Sequence, residues 1–321
     1  MSQWKGSNKL KAGILYILAG LYLLIAGIIF AIKNNEAYEY RVEYSSLENC
    51  SPKAETCSFQ INLDQDLNPP IFIHYELKNF NQNHQIYLDN FDNSQVYQNS
   101  NQPSNPNQCT GFKTNKEINK KLLKIQNWEN KHYVPDENKI IMTNMNKKLL
   151  LSTQLDDVAI PCGLRAFTYF QDTYQIQSLQ DGEIIKIQNK NIAWEYDRKN
   201  IKNTKNPEKQ WIDMENGFLQ INLCINLFLQ KEHFQNWIRP SGLSKFKKLW
   251  GRIEQKLTSG QYKVTVQNQF NVSLYDSTKS FLLGTVNSMG GKNIVLVISH
   301  LVSGSIIFVL GLFFLVYHFK K

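Results

Sequence analysis

Little in this 321-residue chain is equipped for chemistry. Its six histidines, His74, His84, His132, His233, His300 and His318, include no pair at the spacing that sets two metal ligands on one helix face. The adjacent Asp156-Asp157 makes no acid/base dyad, because neighbouring residues on a strand point to opposite faces. Gly290-Gly291-Lys292-Asn293 lacks the spacing of a phosphate-cradling loop and reads as a turn. The chain is therefore expected to have no active site and no cofactor.

What it does have is two long apolar runs at opposite ends, Ala12–Ile32 and Ile294–Phe319, both free of Asp, Glu, Lys and Arg. A helix rising about 1.5 Å per residue needs roughly 20 residues to cross a hydrocarbon core of about 30 Å, so both runs are long enough to span. The first is longer than the apolar core of a signal peptide and no small-x-small cleavage site follows it, which favours a retained span. Lys5, Lys9 and Lys11 before the first run and Lys320 and Lys321 after the second place both tails in the cytosol by the positive-inside tendency. The expected layout is a cytosolic tail at 1–11, a span at 12–32, an exoplasmic or lumenal domain at 33–293, a span at 294–319 and a cytosolic tail at 320–321.

The formal net charge of +9 does not point to nucleic acid. The tails hold five of the 36 basic residues and none of the 27 acidic ones, leaving residues 33–293 with 31 against 27. The lysines there are scattered among Asn and Gln, and no nucleic-acid fold signature accompanies them.

All five cysteines, Cys50, Cys57, Cys109, Cys162 and Cys224, fall in the segment assigned to the oxidising side, where disulfides persist. Four are expected to pair and one to remain, with connectivity open at this level. Cys224, inside the apolar run LQINLCINLFL, reads as a small core residue. Two sequons, at Asn49 and Asn271, fit an exoplasmic domain, and Asn271 is the better acceptor because the middle residue at the Asn49 site, Cys50, competes through disulfide formation.

Periodicity in the middle is mostly that of strands. In QYKVTVQNQFNVSLY, Tyr262, Val264 and Val266 share a face that Phe270, Val272 and Leu274 are expected to continue. Asn68-Pro69-Pro70 opens a second strand, IFIHYEL. The polar stretches Asn90–Gln108 and Arg198–Gln210 read as surface loops. Two helices are expected, one with Ile118, Leu122 and Ile125 on a face, the other with Leu243, Phe246, Leu249, Trp250, Ile253 and Leu257. The fold class is thus a two-span membrane protein with one large, antiparallel, sandwich-like α+β ectodomain. Gly20 and Gly27 in the first span, and Gly304 and Gly311 in the second, form small-residue stripes suited to packing on each other or on a membrane partner. His300, with Ser299, Ser303 and Ser305, is a polar group at membrane depth that normally faces protein or water.

Five ordered blocks resemble one family. HYELKNFNQNHQIYLDNFDNSQ (His74 to Gln95), PCGLRAFTYFQDTY (Pro161 to Tyr174), IAWEYD (Ile192 to Asp197), WIRPSGLSKFKKLWGRIE (Trp237 to Glu254) and SMGGKN (Ser288 to Asn293) are similar, in order and spacing, to the blocks of the cell division control protein 50, or ligand-effect modulator, family. The chain departs from the family pattern at Asn81, Gln85, Gln171, Ser277 and Met289. The resemblance implies a non-catalytic accessory subunit forming a heterodimer with the catalytic subunit of a type IV P-type ATPase, a lipid flippase. It implies an ectodomain that covers the partner's exoplasmic loops, supports its exit from the endoplasmic reticulum and is needed for its phosphorylation cycle. It also implies disulfides Cys50–Cys57 and Cys109–Cys162, membrane lipids as neighbours, and residence in the endoplasmic reticulum, Golgi, endosome or plasma membrane. No Asp-Lys-Thr-Gly motif is present, so ATP hydrolysis belongs to the partner. Partner contacts are expected around the Pro161 block and at Gly290, Gly291, Lys292 and Asn293. The rival readings are a two-span homo-oligomeric ion channel subunit, which leaves the five blocks unexplained, and a membrane-bound lectin or glycosidase, for which neither an aromatic cleft nor paired carboxylates are identifiable.

Overall fold

The computed structural model describes residues 9–52, 54–105, 107–118, 120–121, 156–205 and 231–320. In chain order its main elements are α1 (Lys9–Glu36), β1 (Glu39–Val42), β2 (Thr56–Leu63), β3 (Ile71–Lys78), α2 (Gln85–Asp89), α3 (Asn93–Tyr97), α4 (Leu164–Phe167), β4 (Thr173–Ser178), β5 (Ile184–Ile185), α5 (Glu195–Asn200), α6 (Lys231–Trp237), β6 (Phe246–Ile253), β7 (Gly260–Gln267), β8 (Thr278–Thr285) and α7 (Ile294–Phe319). The chain divides into two compact units, Met1–Tyr40 with Gly284–Lys321, and Arg41–Leu283.

The first unit is built on α1 and α7, each long and apolar enough to cross a bilayer. Gly13, Gly20 and Gly27 on α1 and Gly304 and Gly311 on α7 are buried where the two helices come close together. A Cβ added at Gly20 would stand 2.6 Å from the Phe308 backbone N, and one at Gly311 2.7 Å from that of Ile17. Without side chains at these positions the backbones meet, so the glycine stripes serve the pair itself. The His300 ring packs edge-on against Phe30 at 4.7 Å, and its Nδ1 is 2.9 Å from the Leu296 carbonyl. Ser303 and Ser305 donate to the carbonyls of Ser299 and Leu301 at 2.6 and 2.7 Å, which satisfies their hydroxyls within the helix.

The second unit is organised by two four-stranded sheets, β1-β8-β3-β6 and β2-β7-β4-β5. β7 pairs antiparallel with β2 and with β4, and β3 antiparallel with β6. Alternation places Cys57, Phe59, Ile61 and Leu63 of β2 and Tyr262, Val264 and Val266 of β7 inward. The sheets meet through aromatics: Phe281 of β8 contacts Phe59 at 5.8 Å and Tyr174 at 5.2 Å, and Tyr174 contacts Trp250 of β6 at 5.0 Å. Aromatic rings suit this position because each buries a large apolar area and pairs edge to face.

Three sequence expectations are corrected here. The segment Leu243–Leu257 is not a helix: its centre is β6. Pairing with β3 shifts register between Ile73 and His74, whose partners are Gly251 and Leu249, so Trp250 is an extra, bulged residue. That insertion spaces the buried Phe246, Trp250 and Ile253 as a helix face would, although the local pairing is that of a sheet. Second, β7 ends at Gln267 and does not run on through Leu274. Asn268 turns the chain by donating to the carbonyls of Ser51 and Ala54, and Phe270 and Val272 are buried outside any strand. Third, the polar stretch Asn90–Gln108 is no mere surface loop, since α3 lies within it and Asp92, Ser94, Gln95 and Val96 are buried. In Arg198–Gln210, Arg198 to Asn200 complete α5 and Ile201 and Thr204 are buried. Ile118 is helical and buried, whereas Leu122, Ile125, Cys224 and residues 206–210 lie outside the described residues.

Candidate functional site

The expected contact turn belongs to the first unit. Asn287 and Gly290 exchange backbone hydrogen bonds of 3.0 Å each, and Gly290 takes φ +101°, a conformation open to glycine. Gly290, Gly291, Lys292 and Asn293 are all exposed. Asn293 caps α7 by accepting from the Leu296 N–H at 3.1 Å, and its own N–H donates to Asn34 Oδ1 at 2.7 Å. The turn is therefore anchored at its root and open at its tip.

Cys50 is bonded to Cys57, and Cys109 to Cys162. The exposure of the two sequon asparagines is opposite to the order the sequence favours. Asn49 is exposed, with Nδ2 donating to the Ser58 carbonyl at 2.6 Å. Asn271 is 7% exposed, and its Oδ1 accepts from the Ser273 N–H at 3.0 Å.

Four of the sequence blocks converge in the second unit as a network of buried polar latches. From the first block, Asn90 accepts from the Leu164 N–H at 2.7 Å and donates to the Thr110 carbonyl at 2.8 Å, while Gln95 accepts from the Cys162 N–H at 2.8 Å. Gly163 fits between them at φ +101°, where an added Cβ would run into the Asn90 carbonyl. Arg165 reaches the carbonyls of Leu88 at 2.6 Å and Ile238 at 3.3 Å, and the Trp237 indole donates back to the Arg165 carbonyl at 2.8 Å. Glu232 accepts from three successive backbone N–H groups, those of Asn191, Ile192 and Ala193, at 2.8, 2.6 and 2.8 Å. Such buried groups must be hydrogen-bonded, so each latch fixes the loop that it holds.

Between the sheets lies a buried ion pair. Asp172, 0% exposed, accepts from Lys279, 2% exposed, at 2.6 Å, from the Tyr44 hydroxyl at 2.6 Å and from the N–H groups of Gln269 and Phe270 at 2.7 and 2.6 Å. Burial pushes the Tyr44 phenol well above its ordinary value, with the neighbouring Asp172 charge adding to it, and pushes the Lys279 ammonium down against the pull of Asp172. Lys248 is different: it donates to the carbonyls of Asn236 at 2.8 Å, Trp237 at 3.2 Å and Arg239. Burial, followed by the charges of Arg165 and Arg239, pushes it down to about 7.

These latches escaped sequence reasoning. Asp172 and Lys279 are 107 positions apart, and Glu232 grips backbone 39 to 41 residues upstream, so no local spacing announces either. The expectation that the Pro161 block makes partner contacts meets a buried segment, with Pro161, Cys162, Arg165, Ala166 and Phe167 all inside. Exposed apolar side chains lie elsewhere in the unit, at Ile86, Trp194, Tyr196 and Leu243. Among the described residues, no three His, Cys, Asp or Glu side chains are grouped to hold a metal ion.

A family model described as LEM3 (ligand-effect modulator 3) family / CDC50 family matches residues 32–321. The chain is 27% identical over 341 residues to Cell cycle control protein 50A of Mus musculus, covering 95% of this chain and 82% of that protein. It is 28% identical over 288 residues to Putative ALA-interacting subunit 2 of Arabidopsis thaliana, covering 88% and 71%. It is 26% identical over 295 residues to Phospholipid-transporting ATPase accessory subunit LEM3 of Saccharomyces cerevisiae, covering 88% and 63%.

Proposed function

Because this chain belongs to the LEM3 (ligand-effect modulator 3) / CDC50 family, we propose that it is the accessory subunit of a phospholipid-transporting type IV P-type ATPase, acting without a catalytic site of its own. The observation that carries this is the family match over residues 32–321, together with relatives named as accessory subunits of that class of ATPase. Two helices able to span a bilayer and a latched, disulfide-bonded β-rich unit support it. In this reading both tails are cytosolic, residues 33–293 face the lumen or exterior, and the heterodimer works along the route from endoplasmic reticulum to Golgi, endosome or plasma membrane.

The role asks for a rigid body that touches a moving transporter differently in its different states, because equal binding to all states shifts none of them. A unit whose loops are fixed by buried latches suits that requirement. The Gly290-Gly291 turn is one contact in this reading, being exposed at its tip and anchored by Asn287 and Asn293. Gly291→Leu tests it, since an added Cβ there comes no closer than 3.9 Å to Val286 and leaves the turn intact.

The deciding experiment is purification of the tagged chain from its native membranes in mild detergent, with mass spectrometry of whatever accompanies it stoichiometrically. A P-type ATPase is expected. A homo-oligomer without one overturns the reading.

A further inference from the structure

Trp194 and Tyr196 are turned outward, 67% and 64% exposed, from a backbone that is fixed beneath them. The three N–H groups gripped by Glu232 belong to the residues immediately before Trp194. The fully buried Asp197, next in the chain after Tyr196, takes the Arg239 guanidinium through Nε and Nη2 and the Tyr97 hydroxyl at 3.1 Å. Arg239 in turn lies over the Trp194 ring at 5.1 Å, and the Tyr97 ring stands 6.3 Å from that of Tyr196. Each exposed ring is thus backed by a side chain that Asp197 holds.

Isolated exposed rings are ordinary, but a preorganised Trp, Tyr and Arg cluster has the composition of a binding hot spot and loses little freedom on docking. The charge around it is net positive, and the exposed carboxylate between the two rings, Glu195, is taken up by Lys199. Lys199 pairs with Glu195 and Arg239 with Asp197, whereas Lys190, Arg198 and Lys202 have no carboxylate partner among the described residues. Arg198 turns to the Asn191 side-chain carbonyl instead. An acidic partner complements such a rim. A sugar site would set free carboxylates or amides beside the rings, but Asp197 and Glu232 are engaged by Arg239 and by backbone, and Glu195 by Lys199.

We infer that Trp194, Tyr196 and Arg239 form the docking platform for an exoplasmic loop of the ATPase catalytic subunit, a segment carrying an apolar side chain flanked by acidic residues. This rests on the accessory-subunit reading and assigns that reading a contact surface. The apolar side chain packs on the two rings, and the flanking carboxylates face Lys190, Arg198 and Lys202.

The test uses the full-length chain co-expressed with the ATPase that accompanies it. Trp194→Ala/Tyr196→Ala should leave both disulfides formed and lower recovery of the ATPase at least about tenfold, the scale of losing a hot spot. Trp194→Phe/Tyr196→Phe should restore most of it. Arg198→Glu/Lys202→Glu should also lower recovery, most strongly at low salt, and unchanged or improved recovery overturns the acidic partner. Undiminished recovery with the double alanine variant overturns the platform while the wild type still pulls down its ATPase; a wild type that brings down none overturns the functional reading itself. If the alanine variant fails to fold, a photoreactive phenylalanine at position 194 decides. Cross-links to an exoplasmic loop of the ATPase support the platform; cross-links to lipid, glycan or a second copy of this chain overturn it.

Discussion

Lys279 and Asp172 form an ion pair of 2.6 Å sealed between the two sheets, and each keeps further partners: Tyr44, Gln269 and Phe270 for the carboxylate, Asn268 and the Phe270 carbonyl for the ammonium. The geometry meets the condition under which a buried pair offsets its desolvation, namely that the remaining lone pairs and protons are also satisfied.

Removing one member leaves a buried charge without its counter-ion. Asp172→Ala should destabilise the protein by about 3–5 kcal/mol, and Asp172→Ala/Lys279→Met by less than the two single losses added together. Thermal unfolding of the purified variants checks this. Additive effects would show that the pair is not coupled.

Lys248 makes stability depend on pH in a definite direction. Its folded value of about 7 lies below the ordinary 10.5, so between those limits the unfolded chain binds a proton that the folded chain does not. Stability from this group therefore rises with pH across that window, by up to about 1.4 kcal/mol per unit, and is lost as pH falls toward 7. Lys248→Met should flatten the difference when unfolding midpoints of variant and wild type are compared from pH 7 to 9.

The glycine contacts of α1 and α7 predict a sharp steric penalty. Gly20→Leu places a side chain against the Phe308 backbone and should separate the helices, lowering the yield of folded protein in detergent. Ile14→Leu, on the exposed side of α1, should leave that yield unchanged.

Glycan attachment should follow exposure. Asn49→Gln should shift electrophoretic mobility as a lost glycan does, and Asn271→Gln should not, because Asn271 is buried and bonded to Ser273. The reverse result would mean that the Asn271 segment is modified before it packs.

The sequence by itself determined the parts whose signal is local. Charge-free runs of sufficient length identify α1 and α7, because lipid forbids unpaired charge and unsatisfied backbone over that distance. Alternation identifies the core face of β7, because side chains on a strand point to opposite faces in turn, and Asn68-Pro69-Pro70 marks the opening of β3. The ordered blocks identify the family. Only the tertiary structure decided the rest. The bulge at Trp250 turned a helix-like spacing into a strand, since pairing with β3 outweighs local periodicity. Asn90, Asp92 and Gln95, polar enough to read as loop, became interior latches because their partners arrive from residues 104 to 164. Asp172 met Lys279, and Arg239 came to lie over Trp194, through contacts between distant segments that no spacing along the chain encodes.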